Sequence, residues 1–476
     1  MATFFIEQFG CRATQADAAA IERQLCRRGY TASAGAGSAD VIVVNTCTVT
    51  AAADAQARRA IHRMHRKNPS AKIVVTGCYA QRVPQEVAAL EGVAWVVGNS
   101  HKSQIPQLVE EMAPPGGTAA ALRGFVPIAA LGAAAGRADQ RAANLAGRVP
   151  AGILSGDIHE QSHLLTAPVA GGEAGHTRPI VKIQDGCDSR CAYCVIPLVR
   201  GRSRSLPPAV VLGGIDELCG RGAREVVLSG IDLGSYGRDL APQTGLGDLL
   251  RRILDYTSIE RLRVSSIEPM DVTEDLVRLF AGNQRLAQHF HMPLQSGSDR
   301  VLAAMRRWYR AEHYARRAEL VREWLPDAGI GADVIAGFPG ETDRDHRATL
   351  AAIEQMPLTY VHVFSFSPRP GTAAAEMAGQ VPGEIIAQRA TELRSAAEKK
   401  KAAFRAAQAG RTLRVLTLAR TGHAASGPWT RAIAGNYLDV RVAGHWPANA
   451  WMDAEITPAA GQPVRASVSA PGPFQS

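Results

Sequence analysis

The sequence predicts an α/β protein in three parts: a Rossmann-like parallel-sheet domain, a partial (βα)6 barrel, and a small carboxyl-terminal β-barrel. Three observations predict it. Short β-rich runs alternate with helical segments from Phe4 to about Met112. A second alternation, with six strand candidates, begins at Arg178. The tail from Gly410 carries short strands with Gly and Pro turns and no helix. At 476 residues the chain is also too long for one ordinary core.

In the first part TFFIEQF, VIVVNT, KIVVTG and VAWVVGN read as strands, with helical composition over Asp17 to Arg28 and Ala51 to Arg66. Strand–helix alternation of this kind favours a parallel sheet with crossover helices over residues 1–112. Residues 113–176 are heavy in Ala, Gly and Pro and read as a linker or insertion, some of it open to helix because Ala is a strong helix former. In residues 177–408 the strand candidates are PIVKIQ, EVVLSGI, RLRVSSI, QHFHMPLQ, IGADVIAGF and YVHVFSFS. Helical segments such as Pro208 to Arg221 and Glu312 to Trp324 fill the gaps, and a long charged helix from Gly383 to Gln408 leads out. Active groups of such a barrel sit at the carboxyl ends of its strands. Residues 409–472, with TLRVLTLAR, TRAIAGNYLDVRVAG, WMDAEITP and PVRASVSA, suit a small β-barrel.

Hydrophobic residues at 46% and charged residues at 20% exclude a disordered chain. The net charge of +9 suits a polyanionic partner and equally a plain basic enzyme. MATFFIEQFG has no basic region followed by an apolar run, so no signal peptide is expected. The longest low-charge stretch, Gly124 to Gly136, contains a proline and is too short for a bilayer. The expectation is a cytoplasmic protein without membrane association or a stable protein partner. Eight cysteines in such a chain point to metal ligation or catalysis before disulfides.

Six of the cysteines form two constellations. Cys187, Cys191 and Cys194 make a C-x3-C-x2-C triad directly after the first barrel strand, in IVKIQDGCDSRCAYC. Four thiolates are usual for an iron–sulfur cluster, so three leave one iron open, as a catalytic metal requires. The Cys191–Cys194 pair alone also fits a thioredoxin-like or zinc half-site; the third cysteine argues against it. Cys11, Cys47 and Cys78 are dispersed, but each follows one of the first three strand candidates. In an open parallel sheet those strand ends share one edge, where ligands bind. A second open-site cluster is the expectation there. Cys26 and Cys219 lie inside helical segments beside Leu25 and Leu218 and read as packing residues.

The triad with Tyr193 before its last cysteine resembles the radical S-adenosylmethionine (SAM) superfamily. QFGCRATQAD, NTCTVT, TGCYAQ, KIQDGCDSRCAYCVIPLVRGRSRS, LSGIDLGSYG, HMPLQSGSD, GFPGET and FSFSPRPGT together resemble the methylthiotransferases, over most of the chain apart from the insertion. The resemblance implies two 4Fe-4S clusters, SAM as radical source and methyl donor, a tRNA substrate, and an electron donor such as flavodoxin or ferredoxin. It also implies that the last domain is a TRAM-like RNA-binding barrel. CTVT, KIQDGC, RGRSRS and DLGSYG look most like the branch that modifies threonylcarbamoyladenosine. The isopentenyladenosine branch more often has a Gln-Asn-Val-Asn type sequence where Asp232 and Leu233 stand, and a third branch acts on a ribosomal protein. A non-catalytic iron–sulfur carrier is the reading from another class.

Tyr193 and the strand-end residues Gly230, Asp232, Ser265, Glu268, Gln295 and Asp333 are candidates to line a SAM pocket, or else are loop and cap residues. Arg200, Arg202 and Arg204 alternate in a loop that suits phosphate binding or simple solvation. In the tail, Arg431 and Tyr437, with Arg414, Trp429 and Arg441, mix basic and aromatic groups as single-stranded RNA sites do, although the aromatics also fit a core. His159-Glu160-Gln161-Ser162-His163 matches H-E-x-x-H but lies in the irregular insertion without a supporting helix, so it is set aside as a zinc site.

Overall fold

The structure, a computed structural model, describes residues 2–114, 151–161, 164–165, 177–424, 427–457 and 464–468, the last stretch as backbone. It contains two compact units, residues 1–10, 21–48 and 52–158 in one and residues 11–20, 49–51 and 159–476 in the other.

The first unit is built on a parallel sheet of β1 (Thr3–Gln8), β2 (Thr31–Ala32), β3 (Val41–Thr46), β4 (Lys72–Gly77), β5 (Val93–Val97) and β6 (Gly152–Leu154). The strand order is β2-β1-β3-β4-β5-β6. Every residue of β3 is buried, as expected of a central strand covered on both faces. Ile42, Val44, Ile73 and Val75 pack with Ala57, Ala60, Ile61 and Met64 of the helix Ala51–Lys67. β6 lies inside the stretch expected to be a linker. Three residues, GIL, are too few to show a period, and only their pairing with β5 makes them a strand. Residues 115–150, 162–163 and 166–176 of that stretch lie outside the described residues. The first helix runs from Arg12 to Arg27, starting at Arg12 rather than Asp17.

In the second unit the six expected strands are all present. They are β7 (Ile180–Lys182), followed by the short antiparallel pair β8 (Gln184–Asp185) and β9 (Arg204–Ser205), then β10 (Glu225–Ser229), β11 (Arg261–Val264), β12 (His289–His291), β13 (Gly329–Ala336) and β14 (Tyr360–Ser365). β7, β10 and β11 form one parallel sheet and β12, β13 and β14 another. Parallel bridges at Leu262–Leu286 and Ser266–His291 join β11 to β12, so the strands follow one another in sequence order as a partial barrel. Helices such as Leu246–Tyr256 and Ala311–Trp324 cover its outside with buried leucines, Tyr314 and Val321.

β15 (Thr412–Ala424), β16 (Gly427–Ala434), β17 (Asp439–Ala443), β18 (Trp451–Thr457) and β19 (Val464–Val468) close into a small barrel in the order β15-β16-β17-β19-β18. Closure leaves no edge strand open. A buried carboxylate docks this barrel on the larger one. Glu225 is paired with Arg178, Arg261 and Arg263. Arg261 donates to the Ile433 carbonyl at 3.0 Å, and Arg263 to those of Ala434 and Gly435 at 2.9 and 3.0 Å. Burial alone would raise the Glu225 pKa, but the guanidiniums of Arg263, Arg261 and Arg178 outweigh it and hold the group ionised well below the usual carboxylate range.

Candidate active site

β8 ends at Asp185, and the chain turns at Gly186 with φ of 76°. A Cβ there would lie 1.9 Å from the Arg202 carbonyl oxygen, so only glycine makes the turn that delivers Cys187. The loop is pinned along its length. Cys187 N–H donates to the Gly201 carbonyl at 3.1 Å, Ala192 N–H to that of Met305 at 2.9 Å, and Ala374 N–H to that of Ala192 at 2.8 Å. Cys187 Sγ lies 3.6 Å from Asp232 Oδ2 and accepts the Ser189 N–H at 3.4 Å. Arg307 donates to Cys191 Sγ at 3.3 Å, pairs with Glu268, and stands 4.9 Å over the Tyr309 ring.

All eight cysteines are free thiols. Burial pushes Cys187 and Cys194 up to about 12, so they give up their protons only as a cation replaces them. Two buried polar atoms beside these thiols, Asp232 Oδ1 and Arg307 Nε, have no partner among the described residues. Three thiols on a pinned loop, a guanidinium donating to one sulfur and unsatisfied polar atoms alongside fit a cluster with three thiolate ligands and a polar molecule next to it.

The strand ends carry the other expected residues. Gly230 follows β10, and a Cβ there would meet Leu233 Cδ2 at 2.6 Å and Gln184 Oε1 at 2.9 Å. Gln184 Oε1 accepts the N–H groups of Ile231 and Asp232, each at 2.8 Å, and so fixes the turn that aims Asp232 at Cys187. Ser265 is buried just after β11. Gln295 has φ of 65° and donates its N–H to the Asp333 carbonyl at 2.7 Å. Tyr193 packs with the apolar residues Val301, Met305, Phe338 and Phe366. Asp333 lies within β13 rather than at its end, with Oδ1 at 3.0 Å from His291 Nε2 and His362 directly across the ladder. The structure thus brings Asp232 and Glu268 to the cysteine loop. Gln184 and Arg307 complete the arrangement and were not expected, because neither belongs to a spacing pattern.

Cys47 directly follows β3, Cys78 directly follows β4, and Cys11 lies three residues past β1. β1, β3 and β4 are adjacent and parallel, so their carboxyl ends lie side by side on one sheet edge. Gly77 has φ of 100°, and a Cβ there would meet the Thr46 carbonyl at 2.3 Å. Cys47 and Cys78 are buried and Cys11 is exposed. Asn99 Nδ2 donates to Cys78 Sγ at 3.7 Å, a contact that suits a thiolate ligand. Of the remaining two, Cys219 packs partly against the barrel core, whereas Cys26 is exposed near the end of its helix and is not a packing residue.

The arginine loop differs from expectation. Arg200 is buried, with Nη1 at 2.8 Å from both oxygens of Asp185 and Nη2 at 3.1 Å from Asp17. Lys182 joins the same cluster through Asp17 and Asp185. Two carboxylates in the interior need two cations, and the loop arginine supplies one of them. Arg204 also turns inward, to the carbonyls of Gln161 and Arg200 at 3.1 and 2.6 Å. Arg202 alone of the three is exposed. Arg431 pairs with Asp439 at 2.7 Å. The Tyr437 ring stacks on His289 at 4.4 Å, with Arg263 5.3 Å from its centroid, so it serves the docking of the two barrels rather than an open base platform. Arg441 lies over Trp429 and Arg414 over Trp451, at 4.3 and 4.6 Å. His159 and Glu160 fall in a single 3-10 turn, and Ser162 and His163 lie outside the described residues.

Two family descriptions match the chain: Uncharacterized protein family UPF0004 over residues 3–98 and Radical SAM superfamily over residues 181–353. The threonylcarbamoyladenosine tRNA methylthiotransferase MtaB of Aquifex aeolicus is 32% identical over 92% of this chain and 96% of its own length. The MtaB of Thermotoga maritima is 34% identical over 87% and 86%. The tRNA-2-methylthio-N(6)-dimethylallyladenosine synthase of Syntrophobacter fumaroxidans is 36% identical over 82% and 79%. Among solved structures, the radical S-adenosylmethionine methyltransferase TsrM of Kitasatospora setae shares the fold at 16% identity, with a TM-score of 0.52 over 79% of this chain and 77% of that one. With cysteine triads following the strands and relatives this similar over 79 to 96% of their own length, the chain belongs to the radical SAM methylthiotransferase family.

Proposed function

We propose that the protein adds a methylthio group to C2 of N6-threonylcarbamoyladenosine, at the tRNA position 3′ of the anticodon. The pair of free-cysteine triads, one on the pinned loop after β8 and one following three adjacent strands, carries the methylthiotransferase part of this reading, and the names of the Aquifex and Thermotoga relatives favour its substrate. C2 of an adenine is an unactivated aromatic position that no side chain can substitute, so a cofactor must carry the chemistry. When bound, a cluster and SAM supply a 5′-deoxyadenosyl radical, a methyl group and a sulfur site. Cys187, Cys191 and Cys194 hold the first cluster, and Cys11, Cys47 and Cys78 the second. Arg307 places a positive charge and an N–H against the Cys191 sulfur, and Glu268 orients that guanidinium. Asp232, aimed by Gln184, offers its free oxygen beside Cys187, where a cationic amino group of SAM fits. Residues 1–112 form the domain of the second cluster, 113–176 the insertion, 177–408 the radical SAM domain and 409–472 a TRAM-like RNA-binding barrel. The protein works in the cytoplasm with an electron donor such as flavodoxin or ferredoxin. Among the described residues no helix is long and apolar enough to cross a membrane.

The second reading, a dimethylallyladenosine tRNA substrate, is favoured by the name of the Syntrophobacter relative. Anaerobic reconstitution with iron, sulfide, SAM and reductant separates them. Release of 5′-deoxyadenosine with methylthiolation of tRNA bearing threonylcarbamoyladenosine is expected. Turnover only on isopentenylated tRNA would favour the second reading, and turnover only on a ribosomal protein would refute both. An iron–sulfur carrier would release no 5′-deoxyadenosine.

A further inference from the structure

Outside the cysteine loop, the second unit contains a cleft of about 270 Å³ lined by four arginines, Arg12, Arg178, Arg420 and Arg431, and, among the described residues, by no carboxylate. Three separate pieces of chain build it. Arg12 begins the helix Arg12–Arg27, Arg178 precedes β7, and Arg420 and Arg431 belong to the small barrel. The register of β15 against β16 breaks between Thr417 and Thr421, and this irregularity directs Leu418, Ala419 and Arg420 out of the ladder. Ala419 N–H donates to Thr177 Oγ1 at 2.7 Å, which ties the bulge to the segment carrying Arg178. Arg178 is engaged by Glu225 and Arg431 by Asp439. Among the described residues the side chains of Arg12 and Arg420 make no ion pair or hydrogen bond. The cleft therefore holds two uncompensated guanidiniums. Guanidinium groups converging on a concave surface match the oxygens of a phosphate.

We propose that this cleft is a phosphate site that grips a backbone phosphate of the substrate RNA. The inference rests on the tRNA reading. It also explains what the β15 irregularity does, which is to carry Arg420 from the small barrel to the arginine at the start of the first helix.

The test is the salt dependence of tRNA binding to the reconstituted protein, followed by fluorescence anisotropy. Each neutralised phosphate contributes roughly 0.7 to 0.9 to the slope of log K against log salt. Arg420→Gln is expected to weaken binding about tenfold at low salt and to reduce the slope by about one. Arg12→Gln, accepted only if its iron content matches that of the parent, is expected to do the same. Arg251→Gln, an exposed arginine outside the cleft, is the control and is expected to leave the slope unchanged. An unchanged slope for Arg420→Gln in a protein that binds tRNA would overturn the cleft and leave the RNA reading standing. An equal loss from Arg251→Gln would also overturn it, because the effect would then be one of net charge. If the parent protein itself bound no tRNA, both would fall.

Discussion

Asp17→Asn isolates one charge in the interior without changing shape. Asp17, Lys182, Asp185 and Arg200 form a cluster of two anions and two cations, with side-chain exposures of 3, 1, 10 and 2%. Burial would raise the Asp185 pKa, but Arg200 and Lys182 outweigh it and keep that group ionised below the usual carboxylate range. Each close contact is about 5 kcal/mol of attraction at an effective dielectric of about 20, most of it offset by desolvation. Removing one partner of a buried pair costs about 3–5 kcal/mol because a buried charge is left uncompensated. Asp185 still touches both cations, so the low end, about 3 kcal/mol, is expected. At roughly 2 °C per kcal/mol for a unit of this size, Asp17→Asn should unfold about 6 °C lower in anaerobic calorimetry. Removing one cation as well, in Asp17→Asn with Lys182→Met, restores neutrality and should recover more than half of the loss. Asp185 is two residues from Cys187, so iron loss to a chelator is a second readout and should be faster in the single variant. A single variant within about 1 °C of the parent, or a double variant losing the sum of the two single effects, would refute the reasoning.

Cys187→Ala should reduce iron from about eight to about four per chain and abolish SAM cleavage, measured as 5′-deoxyadenosine. Cys47→Ala should show the same iron loss, keep some cleavage, and lose methylthiolation; a folded Cys47→Ala protein with an intact first cluster and no cleavage would contradict this division. Arg307→Met removes a charged N–H from the Cys191 sulfur, so the midpoint potential of that cluster should fall in an EPR-monitored titration, and an unchanged potential would speak against the contact. The folded pKa of Glu225 is depressed, so its contribution to barrel docking is fully present above the unfolded value near about 4.3 and is lost as pH falls through the folded one. Between about pH 5 and pH 3 the parent should lose stability more steeply than Glu225→Gln; equal slopes would show that Glu225 is not held ionised.

Local chemistry explains what was legible in the sequence. Runs such as VIVVNT and KIVVTG have apolar middles, Val41 to Val44 and Ile73 to Val75, because those parts of the strands are covered on both faces, and a cysteine at the end of each marked the sheet edge. The Cys187 triad was legible from spacing alone. β6 was not, because three residues carry no period and its pairing is supplied by a strand more than fifty residues away. Arg200 was misread, and Tyr437 was left open between RNA and core, for a shared reason. Arginine and tyrosine suit RNA and also suit the buried side of a domain, and only the carboxylates of Asp17 and Asp185 and the ring of His289 decide between the two. Arg307 had no signal in MRRWYR beyond its residue type; the fold brings it to the cysteine loop.

Which nucleoside the protein changes is tested most directly by mass spectrometry of tRNA nucleosides from cells with and without the gene. The 2-methylthio derivative of threonylcarbamoyladenosine should disappear without the gene and return with the parent protein but not with Cys187→Ala. Unchanged levels of that nucleoside, or loss of the methylthio isopentenyladenosine derivative instead, would contradict methylthiolation of threonylcarbamoyladenosine by this chain.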